Sequence, residues 1–245
     1  MGVAVAGPVA LLTHEHWRTA WCVFAALCAL VTLWILRTVP GGGEEVRSPE
    51  SPASLPRPLL PAGSVRLICA ALLMGASSTA VWTFGRDLLV TEGGMGEQAS
   101  TIGWILLGVF GVLGAGAGDL ARRIGLRAGW TAGMLALAVS TALLAAWPAS
   151  IGPAWAALAG FGAAYIALTG FLLLWGTSVH ARHPAVGVGT AFLVVALGQA
   201  LAAPVIGALG EMIGLRGAFL GTALLALVGS LWRPPRRDHG LVLEA

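Results

Sequence analysis

The residues of this chain that could do chemistry are a few polar side chains set inside long apolar segments. Ser78, Tyr165, Thr169 and Gln199 lie near the middle of such segments, and each can both donate and accept hydrogen bonds. Polar side chains at that depth of a bilayer, beside a helix broken by proline, are typical of solute-binding cavities, and Pro204 follows Gln199 by five residues. The alternative is an ordinary interhelical hydrogen bond, worth about 0.6 kcal/mol on average. For each residue alone, the interhelical hydrogen bond is the favoured interpretation. Gln199 and Tyr165 taken together fit a solute-binding cavity equally well.

A charged pair, Arg86-Asp87, ends the second apolar segment. Arg86 lies twenty residues beyond Arg66, which on a helix is about 30 Å and matches the thickness of a hydrocarbon core. We therefore expect the pair at the outer interface of a membrane. It is either an interfacial arginine beside its own carboxylate or part of the outer mouth of a solute cavity.

Other reactive side chains are sparse and poorly placed for chemistry. His180 and His183 share a turn but lack a neighbouring acid, so we predict loop histidines rather than a metal site. The three cysteines have no paired spacing, and no nucleophile lies beside a base. We predict no cofactor, no metal, no nucleic-acid partner and no enzymatic activity, because a membrane enzyme would need a polar catalytic cluster near one face.

The composition places the polar residues in a lipid environment. Hydrophobic residues make up 57% of the 245 residues and charged residues only 10%, with a mean hydropathy of +0.85. A soluble domain carries about 25% charged residues, so water could not solvate this surface and the lipid bilayer is the predicted partner. The predicted fold class is all-α, a polytopic transmembrane helix bundle in which the 35 glycines allow close helix packing.

Seven segments are long enough to cross a bilayer, which takes about 17–25 apolar residues. They are Thr19–Leu36, Leu67–Gly85, Ala99–Gly118, Ala128–Trp147, Pro153–Val179, Ala185–Gly210 and Gly217–Trp232. Met1–Leu12 is apolar but too short, and it resembles the end of a further span. Residues 38–64 are rich in proline and glycine and predict a linker rather than a packed element. The chain thus divides into 1–37, the linker 38–64, a six-helix bundle over 65–232 and a tail over 233–245.

The arginines set the predicted orientation. All fourteen basic residues are arginine, and eleven of them fall in gaps on one side of the predicted spans. The other side holds Arg18, Arg86 and Arg216. Since positive charge favours the cytoplasmic side, we expect a multi-pass protein of the cell membrane, plasma or inner, with the linker and the C-terminus in the cytoplasm. Seven tryptophans near segment ends, among them Trp130 and Trp175, are expected to be interfacial anchors.

A basic loop between the third and fourth segments carries the most specific pattern. It runs from Gly118 to Arg127 with the sequence GDLARRIGLR. This resembles the cytoplasmic loop motif of the major facilitator superfamily of transporters, G-x-L-x-D-R-x-G-R-R. The matching positions are Gly118, Leu120, Arg123, Gly125 and Arg127. Arg122 replaces the family's aspartate, and Asp119 supplies an acid about one helical turn earlier. The alternative is a basic loop with no further role.

A short sequence motif that occurs near both ends of the chain extends the resemblance. Trp17-Arg18-Thr19-Ala20-Trp21 follows Pro8, and Leu215-Arg216-Gly217-Ala218-Phe219 follows Pro204. The family contains parallel repeats. The two copies of the motif resemble its turns between helices five and six and between helices eleven and twelve. The resemblance implies that the seven spans are helices six to twelve, with the N-terminal helices absent.

The resemblance implies a secondary active transporter of an unidentified small solute that works by alternating access, with a proton as the candidate coupling ion. One bundle is then missing, so we expect the chain to transport nothing alone unless an N-terminal half or a homodimer supplies the second bundle. The alternative is a non-transporting membrane interaction protein, a degenerate transporter fragment that packs against another membrane protein.

Overall fold

The computed structural model describes residues 17–38 and 60–235, and every regular element within these ranges is a helix. These ranges do not include the predicted partial span Met1–Leu12, Pro8 of the repeated motif, most of the predicted linker or most of the predicted tail. The all-α fold class predicted from the sequence is confirmed for the described residues.

The helices follow one another with short connections. They are α1 (Trp17–Thr38), α2 (Ser64–Asp87), α3 (Glu97–Gly111), α4 (Ala117–Ile124), α5 (Leu126–Ala146), α6 (Ile151–Val179) and α7 (Pro184–Leu231). α2 continues into a π-helical turn, Leu88–Glu92, and a 3₁₀ turn, Val112–Gly116, joins α3 to α4. Helices suit so apolar a chain because they satisfy the backbone N–H and C=O groups internally, without water.

Five helical segments are long and apolar enough to cross a membrane. They are Ser64–Glu92, Glu97–Ile124, Leu126–Ala146, Ile151–Val179 and Pro184–Leu231. The first four correspond to the predicted second to fifth spans, and the last contains the predicted sixth and seventh together. The predicted first span lies in α1, whose apolar stretch Cys22–Thr38 is at the lower limit of the length that a span requires. Among the described residues there are thus five candidate spans, and the last of them covers two of the seven that the sequence predicts.

α7 is broken at Gly214. A continuous helix of its 48 residues would be about 72 Å long, more than twice the thickness of a hydrocarbon core. Gly214 has φ 81° and ψ 155°, a conformation open essentially only to glycine, so the helix divides into 184–213 and 215–231. Gly125, between α4 and α5, has nearly the same angles, 83° and 149°. Both glycines stand in the tetrapeptide Ile-Gly-Leu-Arg, at 124–127 and 213–216, a repeat whose shared backbone break is visible only in the structure.

Pro204 does not break α7, although it lies inside the helix. The sequence predicts a break beside Gln199, and the structure instead has it ten residues beyond Pro204, at Gly214. The physical reason is that proline removes one backbone hydrogen bond while keeping a helical φ, whereas the positive φ of Gly214 is incompatible with a helix.

The bundle core is built from large side chains at the helix contacts. α7 packs against α2, α5 and α6, and α6 also packs against α3 and α5. Trp130 and Trp175 meet edge to face with 5.9 Å between ring centroids, and both are almost fully buried. The Trp130 indole donates to the Gly229 carbonyl at 3.1 Å. The prediction that these two tryptophans are interfacial anchors is therefore wrong, because they pack inside the bundle.

α2 and α7 cross with their backbones in contact. A β-carbon at Gly198 would lie 2.5 Å from the Leu72 carbonyl oxygen, and one at Gly75 would collide with the Val195 carbonyl. Side chains larger than hydrogen would push the helices apart, and small residues of this kind are how helices associate in lipid. The crossing has a consequence for the polar residues nearby, because each glycine stands within one helical turn of a residue that the sequence singles out.

We expect Gly198→Ala to lower the free energy of unfolding by about 1–3 kcal/mol, because the added methyl group forces the two backbones apart. Gly221→Ala is the matched control, since Gly221 is exposed, nothing lies within 4 Å of its added β-carbon, and alanine favours the helix. Thermal unfolding of both variants in detergent, followed by circular dichroism, measures the difference. Equal midpoints for the two variants would contradict the close crossing.

Candidate functional site

Three predicted site residues meet in one hydrogen-bonded group, called here the Gln199 cluster and made of Ser78, Tyr165 and Gln199. The Gln199 amide nitrogen donates to the Ser78 hydroxyl oxygen and to the Tyr165 phenol oxygen, each at 3.3 Å. Ser78 is fully buried, while Tyr165 and Gln199 are half-buried. The three residues come from α2, α6 and α7, so the cluster joins α2 to two helices that lie far from it in sequence.

The Gln199 cluster lies at mid-length of its helices. Ser78 is the fifteenth of the 29 residues of Ser64–Glu92, and Tyr165 is the fifteenth of the 29 residues of Ile151–Val179. Gln199 is the sixteenth residue of α7, near the centre of the part before the break at Gly214. At about 1.5 Å per residue, the cluster lies about 21 Å from either end of the first two segments. Helices that cross a bilayer with these bounds carry the cluster near its midplane.

Hydrogen-bond accounting fixes the orientation of the Gln199 amide. The Ser78 hydroxyl donates to the Gly75 carbonyl at 2.9 Å, so its oxygen can only accept from Gln199. The amide nitrogen therefore faces Ser78, and both of its hydrogens are used within the cluster. Within the described part of the chain, the Tyr165 hydroxyl hydrogen and the Gln199 amide oxygen keep no protein partner. They are one donor and one acceptor that a ligand could meet.

Thr169 lies beside the cluster and is not part of it. Its hydroxyl donates to the Tyr165 backbone carbonyl at 2.9 Å, a common bond for threonine inside a helix. Tyr165 and Thr169 both line a half-open cleft between α6 and α7, which encloses room for about one water molecule. The other lining residues are Leu172, Leu173, Ala191, Phe192 and Val195. The cleft therefore has apolar walls, with Tyr165 and Thr169 as its polar residues.

Aromatic rings hold Tyr165 in place. Its ring stacks on Phe161 with 6.0 Å between centroids and meets Trp82 edge to face at 5.2 Å. Such pairs contribute about 0.5–1.5 kcal/mol each beyond the area that they bury, so the phenol has a fixed position. Trp82 and Phe161 are not among the predicted site residues. Their spacing is the sequence feature that could have predicted them, since Trp82 stands one turn after Ser78 and Phe161 one turn before Tyr165.

The predicted charged pair lies away from the Gln199 cluster. Arg86 is eight residues beyond Ser78 on α2, about 12 Å along the helix. Its guanidinium pairs with the Glu97 carboxylate of α3 at 3.0 Å, and both side chains are exposed. Asp87 is exposed as well. Arg86 thus forms its ion pair between two helices, because the end of α2 faces the start of α3.

The loop motif forms a compact charged turn. Asp119 and Arg122 make an ion pair across one turn of α4, and both side chains are exposed. This bears out the expectation that the displaced acid stays close to the arginines, although exposed pairs of this kind contribute only about 0–1 kcal/mol. Gly125 then ends α4 and begins α5 through its positive φ. Gly118 is half-buried, while Arg123 and Arg127 are exposed.

Glu92 is a structural residue that the sequence pattern did not reveal. One carboxylate oxygen accepts from the Leu215 backbone N–H at 2.7 Å, and the other contacts the Arg216 guanidinium at 3.1 Å. Leu215 begins the part of α7 after the break at Gly214, so Glu92 satisfies a free N–H and places a negative charge at a helix N-terminus. The π-helical turn at the end of α2 carries Glu92 to this position.

No protein-family model, no curated protein sequence and no solved structure matches this chain. Residues 17–38 and 60–235 form helices that include five candidate membrane spans, and their polar interior includes the mid-length Gln199 cluster.

We expect Glu92→Ala to lower the free energy of unfolding by about 1.5–3 kcal/mol, because it removes a charged hydrogen bond at a helix end together with an ion pair. Glu97→Ala is the matched control, since it removes only the exposed pair with Arg86 and should cost less than about 1 kcal/mol. Thermal midpoints of the two variants in the same detergent provide the comparison. A Glu97 variant as damaging as the Glu92 variant would contradict this role.

Proposed function

We propose that the described helices form one bundle of a secondary active membrane transporter of major-facilitator type, and that the Gln199 cluster contributes to its site for a small solute. The observation that carries the proposal is the cluster itself, three polar side chains hydrogen-bonded at mid-length of long apolar helices. Polar groups at such a depth are costly and commonly mark a solute pathway. The free donor and acceptor beside a cleft are what such a pathway needs.

The loop at 118–127 supports the same proposal. Its glycines and arginines stand in the pattern of the family's cytoplasmic loop, and the pair Asp119–Arg122 keeps an acid beside the arginines. The repeat of Ile-Gly-Leu-Arg at 124–127 and 213–216, with one backbone conformation at both glycines, is in keeping with an internally duplicated architecture.

The mechanism in this proposal is alternating access. Two bundles rock about a site at the membrane midplane, so that the site opens to one side of the membrane at a time. The described residues supply one bundle, and a second must face the Gln199 cluster, either from further helices or from a second copy of the chain. Coupling to a proton would need an acidic or basic group outside the cluster, since amides and hydroxyls do not titrate near neutral pH.

A second candidate function is a non-transporting role in which the bundle packs against another membrane protein. The observation that favours it is the apolar outer side of α7, where Leu193 is 73% exposed and Leu201 is 60% exposed. Such a surface suits a neighbouring helix as well as it suits lipid. This function does not need Gln199, and that difference allows the two to be separated.

The test of the transport proposal is a thermal-shift screen of the purified chain against a library of small solutes, followed by exchange of any hit across proteoliposomes. At a hundredfold excess over its dissociation constant, a ligand stabilises the folded state by about 2.7 kcal/mol, which corresponds to several degrees. Gln199→Leu should reduce that shift to about half, because losing the amide weakens binding about tenfold. Gln98→Leu, at an exposed position of α3, should leave it intact.

Two results would contradict the proposal. One is a solute whose stabilising effect survives Gln199→Leu unchanged. The other is a protein partner that co-purifies with the wild-type chain and with Gln199→Leu to the same extent while no solute binds, which would favour the second function.

A further inference from the structure

The surroundings of the Gln199 cluster limit the kind of solute that it could hold. On α2, α6 and α7 the charged residue closest along a helix to the cluster is Arg86, eight residues or about 12 Å from Ser78. The packed neighbours α3 and α5 carry no charged residue between Glu97 and Asp119, or after Arg127 within α5. Among the described residues of α2, α6 and α7, no charged side chain therefore lies within seven residues of the cluster along its own helix.

The groups that the cluster leaves open are complementary to a particular kind of polar group. The Tyr165 hydroxyl hydrogen can donate, and the Gln199 amide oxygen can accept. An alcohol hydroxyl or a primary carboxamide can meet both, because each of these groups donates and accepts from adjacent positions. A carboxylate can only accept, and an ammonium group can only donate.

The cleft beside the cluster limits the size and polarity of the remaining part of the solute. The cleft is half-open and encloses room for about one water molecule, so only part of a bound solute can enter it. Its walls are the side chains of leucine, alanine, phenylalanine and valine, with Tyr165 shared between the cleft and the cluster. A small apolar ring or chain matches these walls, because it buries apolar surface against them.

From these observations we infer that the site takes a small uncharged amphipathic solute, in which a hydroxyl or carboxamide group adjoins an apolar ring or chain. The inference rests on the proposed function and adds to it the chemical class of the solute. The hydroxyl or carboxamide accepts from Tyr165 and donates to Gln199, and the apolar part lies against the walls of the half-open cleft. An ion of the same size would have to enter apolar surroundings without a partner of opposite charge, which is strongly unfavourable.

The test uses five probes of one shape that differ in a single group. They are 2-phenylethanol, 3-phenylpropanamide, 3-phenylpropanoate, 2-phenylethylammonium and ethylbenzene. Binding of each probe to the full chain in lipid nanodiscs is measured by equilibrium dialysis, and uptake by empty nanodiscs is subtracted to remove simple partition into lipid. We expect the alcohol and the carboxamide to bind about tenfold more tightly than ethylbenzene, and the two ions to bind about a hundredfold more weakly than the alcohol.

Two variants test whether the probes bind at the cluster. Gln199→Leu removes the acceptor, and Tyr165→Phe removes the donor while keeping the ring that packs against Phe161 and Trp82. Each should weaken the alcohol about tenfold and leave ethylbenzene unchanged. Gln98→Leu is the matched control and should leave every probe unchanged. Because Tyr165→Phe preserves the aromatic packing, it keeps the test valid even where Gln199→Leu perturbs the fold.

The outcomes separate the inference from the function on which it rests. Tighter binding of 3-phenylpropanoate or 2-phenylethylammonium that depends on Gln199 would overturn the uncharged class and leave a solute-binding site in place. Equal binding of ethylbenzene and the alcohol would also overturn the class, because the hydroxyl would then contribute nothing. Failure of all five probes to show any binding that depends on Gln199 would count against solute binding at the cluster, and the inference would fail with it.

Discussion

The backbone contact between α2 and α7 is the constraint on which the rest of the site depends. Gly198 lies so close to the Leu72 carbonyl that a methyl group would not fit, and Gly75 faces Val195 in the same way. This distance lets a short serine side chain on one helix reach a glutamine amide on the other, and it brings the amide within 3.3 Å of Tyr165 on α6. Helices held further apart by larger residues would leave each polar group alone in an apolar interior, at a cost larger than a single hydrogen bond returns.

The cluster uses its hydrogen bonds almost completely, and what it leaves open defines its chemistry. Serine accepts from the amide because its own hydrogen is given to a backbone carbonyl, so the amide has one orientation. That orientation exposes an acceptor next to a phenol donor, beside an apolar cleft. To the solute that we propose, such an arrangement offers hydrogen bonds and apolar contact and no charge. The charged contacts of the described helices, such as Glu92 with Arg216, serve instead to fix helix ends.

The sequence predicts what depends on local pattern and fails where the outcome depends on distant partners. Apolar run length predicts the helical class, and position within the runs predicts the polar residues that later meet, since Gln199 and Tyr165 stand at mid-length. The contact of Glu92 with the N–H of Leu215 joins residues 123 positions apart, and nothing in either neighbourhood signals it. Trp130 was expected at the membrane interface because a tryptophan near a segment end looks the same in sequence whether it meets lipid or the core.

The most direct test of the central claim, that Gln199 and Ser78 act as one hydrogen-bonded unit within the bundle, is a double-mutant cycle on unfolding in lipid or detergent. The cycle combines Gln199→Leu with Ser78→Ala, and a parallel cycle combines Gln199→Leu with Ser77→Ala, a buried serine bonded only to its own helix. We predict a coupling energy of about 0.6–1.7 kcal/mol for the first cycle and none for the second. Additive effects in the first cycle, or equal coupling in both, would contradict the account.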